Sequence, residues 1–203
     1  MRIPIFPLNG AILFPNTNLP LNIFEERYIQ MVDYALSNNR LIGMVQIKKN
    51  KDFFKIGCLG KITSFAETGD GRYQINLEGL NRFKINKKIS NDFKFLTVEV
   101  QNLNYKNNFS KNTRSLSKTI LTNFKKYLNV KKINFSTSEF ENLDALSLAK
   151  IICVLSPLDY LTKQMLLEFN SSDELCDNLI SVLLGDISAI SKDKFKVSKN
   201  FFL

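Results

Sequence analysis

The residue types that carry acid–base, nucleophilic and metal chemistry are thinly spread in this sequence, and no spacing makes them act together. There is no histidine. That removes Ser-His-Asp and Cys-His catalysis, histidine-containing zinc sites and a histidine pH switch. The 3 cysteines, Cys58, Cys153 and Cys176, show no C-x-x-C spacing. An odd number of thiols in apolar surroundings predicts buried side chains in a reducing compartment rather than a disulfide framework. Gly57-Cys58-Leu59-Gly60-Lys61 lacks the spacing of a phosphate loop, and no G-x-G-x-x-G run opens a helix. Serines and lysines are plentiful, yet no pair stands out as a nucleophile and its base. The adjacent acids Glu25 and Glu26 fall at a helix start, where they complement the helix dipole. The expectation is a chain with no catalytic residues, no cofactor and no metal site, which binds and does not react.

The elements that would position a binding site change character near residue 112. Before it, β-type runs cover Ile3 to Leu8, Leu41 to Ile47, Gly57 to Phe65, Tyr73 to Leu77, Phe83 to Ile89 and Phe95 to Val100. Alternation is clear in Tyr73-Gln74-Ile75-Asn76-Leu77 and in Leu96-Thr97-Val98-Glu99-Val100. Gly69-Asp70-Gly71 reads as a hairpin turn, because Asp-Gly supplies the positive φ that tight turns need. The proline-interrupted first run reads as an edge-like strand. One helix from Glu25 presents Tyr28, Met31, Val32, Ala35 and Leu36 on a single face and ends at Asn38-Asn39. Short strands with Gly-rich turns predict a small barrel or strongly bent sheet.

After Asn112 the pattern is helical. Leu116, Ile120, Leu121, Phe124 and Leu128 form one stripe. Ser138-x-x-Glu141 predicts a capping box for a second helix reaching Leu155, and Ser156-Pro157 predicts the start of a third. Ser171-x-x-Glu174 predicts the cap of a fourth. The expected fold is α+β: a β-rich lobe over 1–112 with one helix, then a four-helix lobe over 113–203, joined by the Asn-rich segment 104–112. At 203 residues, 44% hydrophobic and 23% charged, the chain has ordinary globular composition. Arg2 and the apolar residues after it mimic a signal peptide, but Pro4, Pro7, Pro15 and Pro20 interrupt any apolar core. With no apolar run of about 18 residues, no membrane span is expected, and the localisation read from the sequence is cytoplasmic.

A set of N-terminal residues stands apart. Ile3-Pro4-Ile5-Phe6-Pro7-Leu8, Leu13-Phe14-Pro15, Leu19-Pro20-Leu21 and Ile23-Phe24-Glu25-Glu26-Arg27-Tyr28 resemble the opening of the Lon protease N-terminal, substrate-binding domain. The likeness continues at Ile56 to Ile62, at Asp70-Gly71-Arg72-Tyr73 and at Gly79-Leu80-Asn81-Arg82-Phe83, and returns weakly at Lys163 to Glu168. The resemblance implies a PUA-like barrel lobe followed by a helical lobe, acting in polypeptide capture. In that family the ATPase module and the Ser-Lys protease domain lie downstream. Neither is found over residues 1–203, so the expectation is a stand-alone Lon-domain protein. Within the motif, Pro4, Pro7, Pro15, Pro20, Glu25, Arg27, Tyr28, Asp70, Gly71, Arg72, Arg82 and Phe83 are read as scaffold. The prolines fix φ, Glu25 and Arg27 seat the helix, and Arg72 or Arg82 meets a carboxylate such as Glu25 or Asp70.

Two partner classes follow. The first is unfolded polypeptide or a protein partner, held by aromatics in polar surroundings: Phe53 and Phe54 after Lys48-Lys49-Asn50-Lys51-Asp52, and Phe93 and Phe95 around Lys94. The lesser alternative is RNA, because PUA-like barrels elsewhere recognise it and the formal net charge is +9. The charge is uneven along the chain: residues 84–132 carry 12 basic and 2 acidic side chains, and residues 133–191 carry 2 basic and 9 acidic. Lys84, Lys87, Lys88, Lys94, Lys125, Lys126, Lys131 and Lys132 would form the phosphate-binding surface. Docking through these opposed charges, of the lobes on each other or on a neighbouring molecule, is the plainest reading of the polarity.

Overall fold

The computed structural model describes residues 1–50, 52–106 and 112–199. Of the expected linker, residues 107–111 lie outside the described residues, as does Lys51 of the lysine run. Six strands form one sheet: β1 (Arg2–Leu8), β2 (Asn18–Ile23), β3 (Leu41–Gln46), β4 (Ile56–Glu67), β5 (Tyr73–Ile89) and β6 (Leu96–Leu103). Helix α1 (Glu26–Leu36) separates β2 from β3. After the strands come α2 (Thr113–Lys131), a 3-10 turn at Ser138–Phe140, α3 (Ala145–Leu155), α4 (Tyr160–Glu168) and α5 (Ser172–Lys199).

The chain divides into two compact units. One comprises Met1–Asn104 and Val154–Glu168, the other Tyr105–Cys153 and Phe169–Leu203. This differs from a division at residue 112, because the segment holding α4 returns to the strands. Two buried polar side chains hold it there. Gln164 Nε2 donates to Ile56 O at 3.0 Å, and Arg82 Nη1 donates to Leu167 O at 2.9 Å.

In the first unit the sheet order is β2-β5-β4-β3-β1-β6, and β5 also pairs with β6. The second pairing closes five strands into a ring and leaves β2 outside it, on β5. One 17-residue strand serves both roles. Its first half lies between β2 and β4, and its second half pairs with β4 and β6. The sequence pattern gives this strand as two runs, Tyr73 to Leu77 and Phe83 to Ile89, with Gly79 between them. A Cβ there would sit 2.0 Å from Phe14 O, so the bare backbone lets the Leu13–Phe14 loop lie directly on the strand.

β1 is interior rather than an edge. It runs parallel to β3 over Ile5 to Leu8 and antiparallel to β6 over Arg2 to Ile5. Met1 and Val100 exchange main-chain bonds in both directions. Ladder alternation therefore turns the main-chain groups of odd residues toward β6 and of even residues toward β3. The nitrogen of Pro4 faces the β3 side before that pairing starts, and the nitrogen of Pro7 faces the β6 side after that pairing has ended. Neither proline displaces a ladder bond, which is how an interior strand keeps both.

α1 buries Tyr28, Met31, Val32 and Ala35, the face expected from the sequence. They pack with Phe6, Leu13, Ile42, Cys58, Leu77 and Phe95 in one core cluster. A second cluster joins Ile3, Ile5, Val45, Phe53, Phe83, Val98 and Val100. In the second unit α2 packs on α5. Leu116, Ile120, Phe124 and Leu128 are buried, as are Leu175, Leu179 and Leu183. The Ser171 capping box is formed: Glu174 N donates to Ser171 Oγ at 3.1 Å, and Glu174 Oε2 accepts from Ser171 N at 3.2 Å. The other two helix starts move from their expected places. α3 opens behind Asp144, which accepts from Ser147 N at 3.0 Å. α4 opens behind Asp159, which accepts from Leu161 N and Thr162 N, each at 3.0 Å. In each case an aspartate nearer the helix supplies a charged acceptor, a stronger cap than a serine hydroxyl. All three cysteines are buried thiols. Among the described residues no helix is long and apolar enough to cross a membrane.

Candidate functional site

Two of the four aromatics expected at a binding surface belong to the core. Phe53 is 8% exposed and packs with Ile3, Phe83 and Val98, while Phe95 is 3% exposed and lies under α1. Their polar neighbours misled the sequence reading. Lysines beside an aromatic can cover it: Lys88 Nζ lies 4.5 Å from the centre of the Phe53 ring, and Lys48 Nζ lies 5.2 Å from that of half-buried Phe54. Phe93 is exposed at 44%.

Around Phe93 the structure assembles a larger aromatic surface. Phe93 stacks on Phe95 at 4.8 Å between ring centres and 7° between planes. Tyr34 of α1 lies 5.1 Å from Phe93 and 5.5 Å from Phe95. The segment before β6 is held against α1 by Lys94, whose N–H donates to Gln30 Oε1 at 2.8 Å and whose ammonium pairs with Glu26. The next α1 residue back, Asp33, accepts the hydroxyl of Tyr73. Partial burial, then this bond, push the Tyr73 phenol above its ordinary value. Tyr73 meets Phe65 edge-on at 4.9 Å. The adjacent Arg72 pairs with Asp70 at 3.0 Å and lies 5.9 Å from the centre of the Phe24 ring. An aromatic line thus runs through two ring clusters, Phe93–Phe95–Tyr34 and Tyr73–Phe65, linked through Asp33, the chain neighbour of Tyr34, with Phe24 against Arg72.

The turn that aims Arg72 is local. Gly71 has φ +78°, and Thr68 N and Arg72 O close the hairpin at 2.9 Å. The Thr68 hydroxyl donates to Asp70 and, with the backbone N–H and charge of Arg72, holds that carboxyl below the usual range. Beside Phe65 lies a groove of about 460 Å³ across β2, β5 and β4. Two cross-strand rows frame it, Pro20–Asn76–Ser64 and Asn22–Gln74–Ala66. Asn76 Nδ2 ties the strands together, donating to Asn18 Oδ1 at 3.0 Å and to Thr63 Oγ1 at 2.9 Å.

Phe24, Tyr34, Phe65 and Tyr73 were not legible as site residues. Ile23 is buried and Phe24 is 64% exposed, so strand alternation carried one step past β2 is the signal that would have found Phe24. Tyr34 lies off the apolar face of α1 by the same kind of count.

The eight lysines of the basic stretch are divided between the two units. Lys84, Lys87, Lys88 and Lys94 belong to the first unit, and Lys125, Lys126, Lys131 and Lys132 to the second. Five of the eight face carboxylates. Lys87 lies 3.5 Å from Glu99, Lys88 lies 3.6 Å from Asp52, and Lys94 pairs with Glu26. Lys125 lies 3.3 Å from Glu141 and Lys131 lies 3.4 Å from Asp186.

The motif residues brace the first unit. Pro4 and Pro15 are buried, Pro7 is half-buried and Pro20 is exposed on β2. Glu25 and Arg27 pair at 2.7 Å, and the Arg27 guanidinium covers the Tyr28 ring at 4.5 Å. Tyr28 in turn packs on Phe6 at 4.3 Å. Arg72 meets Asp70, one of the carboxylates expected for it, whereas Arg82 is fully buried beside Phe83 and reaches a main-chain carbonyl of α4. Among the described residues no group of three or more cysteine, aspartate or glutamate side chains is arranged to hold a metal ion.

A five-strand ring with an added strand and a packed helix, followed by helices, is the fold of a known class. The crystal structure of a Lon N-terminal domain protein from Xanthomonas campestris superposes with TM-score 0.69 at 18% identity, covering 89% of this chain and 98% of that one. The N-terminal domain of Mycobacterium avium complex Lon protease gives TM-score 0.72 at 18% identity, covering 93% and 98%. In sequence, the profile of the ATP-dependent protease La (LON) substrate-binding domain matches residues 2–184, and the chain belongs to that family. It is 26% identical over 204 residues to the Lon protease of Buchnera aphidicola subsp. Acyrthosiphon pisum (strain APS), covering 96% of this chain and 26% of that protein. The chain thus spans about a quarter of the length of such relatives.

Proposed function

We propose that this chain captures unfolded polypeptide through the aromatic line Phe93–Tyr34–Tyr73–Phe65 with Phe24, and performs no covalent chemistry of its own. The observation that carries the reading is the exposure of these rings in two clusters, Phe93–Tyr34 and Phe65–Tyr73, with Phe24. Phe24 is 64% exposed, Phe93 44%, Phe65 41% and Tyr34 38%, all in the first unit. Exposed rings are costly to hold in water and are what a surface for apolar side chains requires. Membership of a substrate-binding domain family supports it, as does the ring of strands, which fits a PUA-like barrel used as a rigid mount. The Asn22, Gln74 and Asn76 amides of the groove belong to strand positions that alternate with those of Phe65 and Tyr73, so they face the other side of the sheet and the rings alone form the proposed surface.

The test uses a permanently unfolded, reduced and alkylated protein carrying a fluorophore. A Phe65→Ser, Phe93→Ser double variant keeps both core clusters and should bind at least about ten-fold more weakly than wild type, since exposed aromatic anchors dominate such contacts. Phe53→Ser is unsuitable, because it would open the core. Equal affinity in variants with unchanged circular dichroism and thermal midpoint would remove the aromatic line from the proposal.

A further inference from the structure

We propose, building on the capture reading, that this surface selects apolar segments carrying lysine or arginine over segments carrying aspartate or glutamate. The chain as a whole bears +9, yet the residues that frame the aromatic line have the opposite balance. Within three positions of Phe24, Tyr34, Phe65, Tyr73 and Phe93 the chain carries Glu25, Glu26, Asp33, Glu67, Asp70 and Asp92 against Arg27, Arg72 and Lys94. Each of those three cations already has its carboxylate: Arg27 with Glu25, Arg72 with Asp70, Lys94 with Glu26. Asp33, Glu67 and Asp92 make no ion pair among the described residues.

The three unmatched carboxylates are distributed along the rings. Asp92 precedes Phe93, Asp33 precedes Tyr34 and bonds Tyr73, and Glu67 stands opposite Tyr73 in the β4–β5 register. The Phe93, Tyr34 and Tyr73–Phe65 stretches of the line therefore each set a ring beside a carboxylate without an ion pair, while the carboxylates next to Phe24 are matched. A segment alternating apolar and basic residues would satisfy both: its side-chain carbons cover rings, its cations meet carboxylates, and ring faces add cation–π attraction. An acidic segment of equal hydrophobicity meets like charge at each step.

Three unstructured peptides decide the matter, sharing one aromatic–aliphatic pattern and carrying lysine, glutamine or glutamate at the intervening positions. Fluorescence anisotropy at low salt should rank them lysine, glutamine, glutamate. The lysine form should bind about five-fold tighter than the glutamine form, the scale of a few exposed ion pairs. That advantage should vanish in about 0.5 M salt, where the screening length is only a few ångströms. In Asp33→Asn, Glu67→Gln, Asp92→Asn the three affinities should converge on the wild-type value for the glutamine peptide. Equal wild-type affinity for all three peptides would overturn the charge selection and leave capture standing. No binding of any of them would overturn capture itself.

Discussion

Gly79→Ala is the sharpest probe of how the ring and its loops hold together. The added Cβ would sit 2.0 Å from Phe14 O, 2.9 Å from Phe14 C and 3.2 Å from Leu13 Cγ. The carbonyl must retreat by about 1 Å or more to reach ordinary contact, and it has little freedom to do so. Phe14 O accepts from the Thr17 hydroxyl at 2.8 Å and from Thr17 N at 3.2 Å, and Phe14 itself is fully buried. The same few residues bond Gly79 in both directions, Asn16 N to Gly79 O at 2.7 Å and Gly79 N to Thr17 O at 2.8 Å. Overpacking of this kind costs about 1–3 kcal/mol. Loosening two main-chain bonds adds about 1 kcal/mol each. The expected loss is therefore roughly 3–5 kcal/mol, read as a lower urea midpoint at unchanged slope. Gly69→Ala is the control, with no atom within 4 Å of its added Cβ, and should stay within about 0.5 kcal/mol of wild type. A Gly79→Ala protein as stable as that control would mean that the loop does not rest on β5, and the close-approach account of this glycine would fall.

Asp159→Ala should destabilise the start of α4 by about 1 kcal/mol at neutral pH, seen as faster amide exchange over 160–168, because Leu161 N and Thr162 N lose their acceptor. The Thr162 hydroxyl and backbone hold the Asp159 carboxyl below its ordinary 3.8. Its contribution is therefore complete above that value and lost as pH falls through the lower folded value, so wild type and variant should converge in acid, and a constant difference down to strongly acidic pH would count against the cap. Pro20→Val should increase self-association in sedimentation velocity at high concentration, because it gives the outer edge of β2 a main-chain donor. An unchanged monomer would show that Pro20 does not guard that edge.

What was legible in the sequence is what depends on near neighbours. The buried face of α1, the α2 stripe and the Ser171–Glu174 box repeat or reciprocate within a turn, so their pattern survives whatever the rest of the chain does. The misses depend on distant residues. The role of Gly79 is hidden because its partner in contact, Phe14, is far away in sequence. Pro4 and Pro7 suggest an edge because only the split pairing of β1 shows where their nitrogens point. β2 escaped notice because its central residue is proline. Phe53 and Phe95 have polar neighbours in sequence and apolar ones in space, while Tyr34, Phe65 and Tyr73 become one surface only when α1 lies beside the β4–β5 ribbon. Charge by residue number is a partial guide for the same reason, since the basic run of chain is divided between two units and five of its lysines lie beside carboxylates.

The outer edge of β2 bears on how capture works. Gly79 N donates to Thr17 O, so ladder alternation turns the main-chain groups of Asn18, Pro20 and Asn22 away from β5 and outward. An extended segment adding there as a strand would find no donor at the middle residue of the three. Ring closure removes the corresponding edges of the other five strands. Main-chain pairing, the strongest way to seize an unfolded chain and also the one that seeds aggregates, is thereby weakened at the strand next to the groove. Affinity must then come from side chains, from rings at the surface and the charges between them. Such contacts are weak one by one, tolerate many sequences and release readily, which suits a surface that holds a client briefly. Pro20 and the aromatic line thus act together: the proline denies a permanent bond at the place where the rings invite a temporary one.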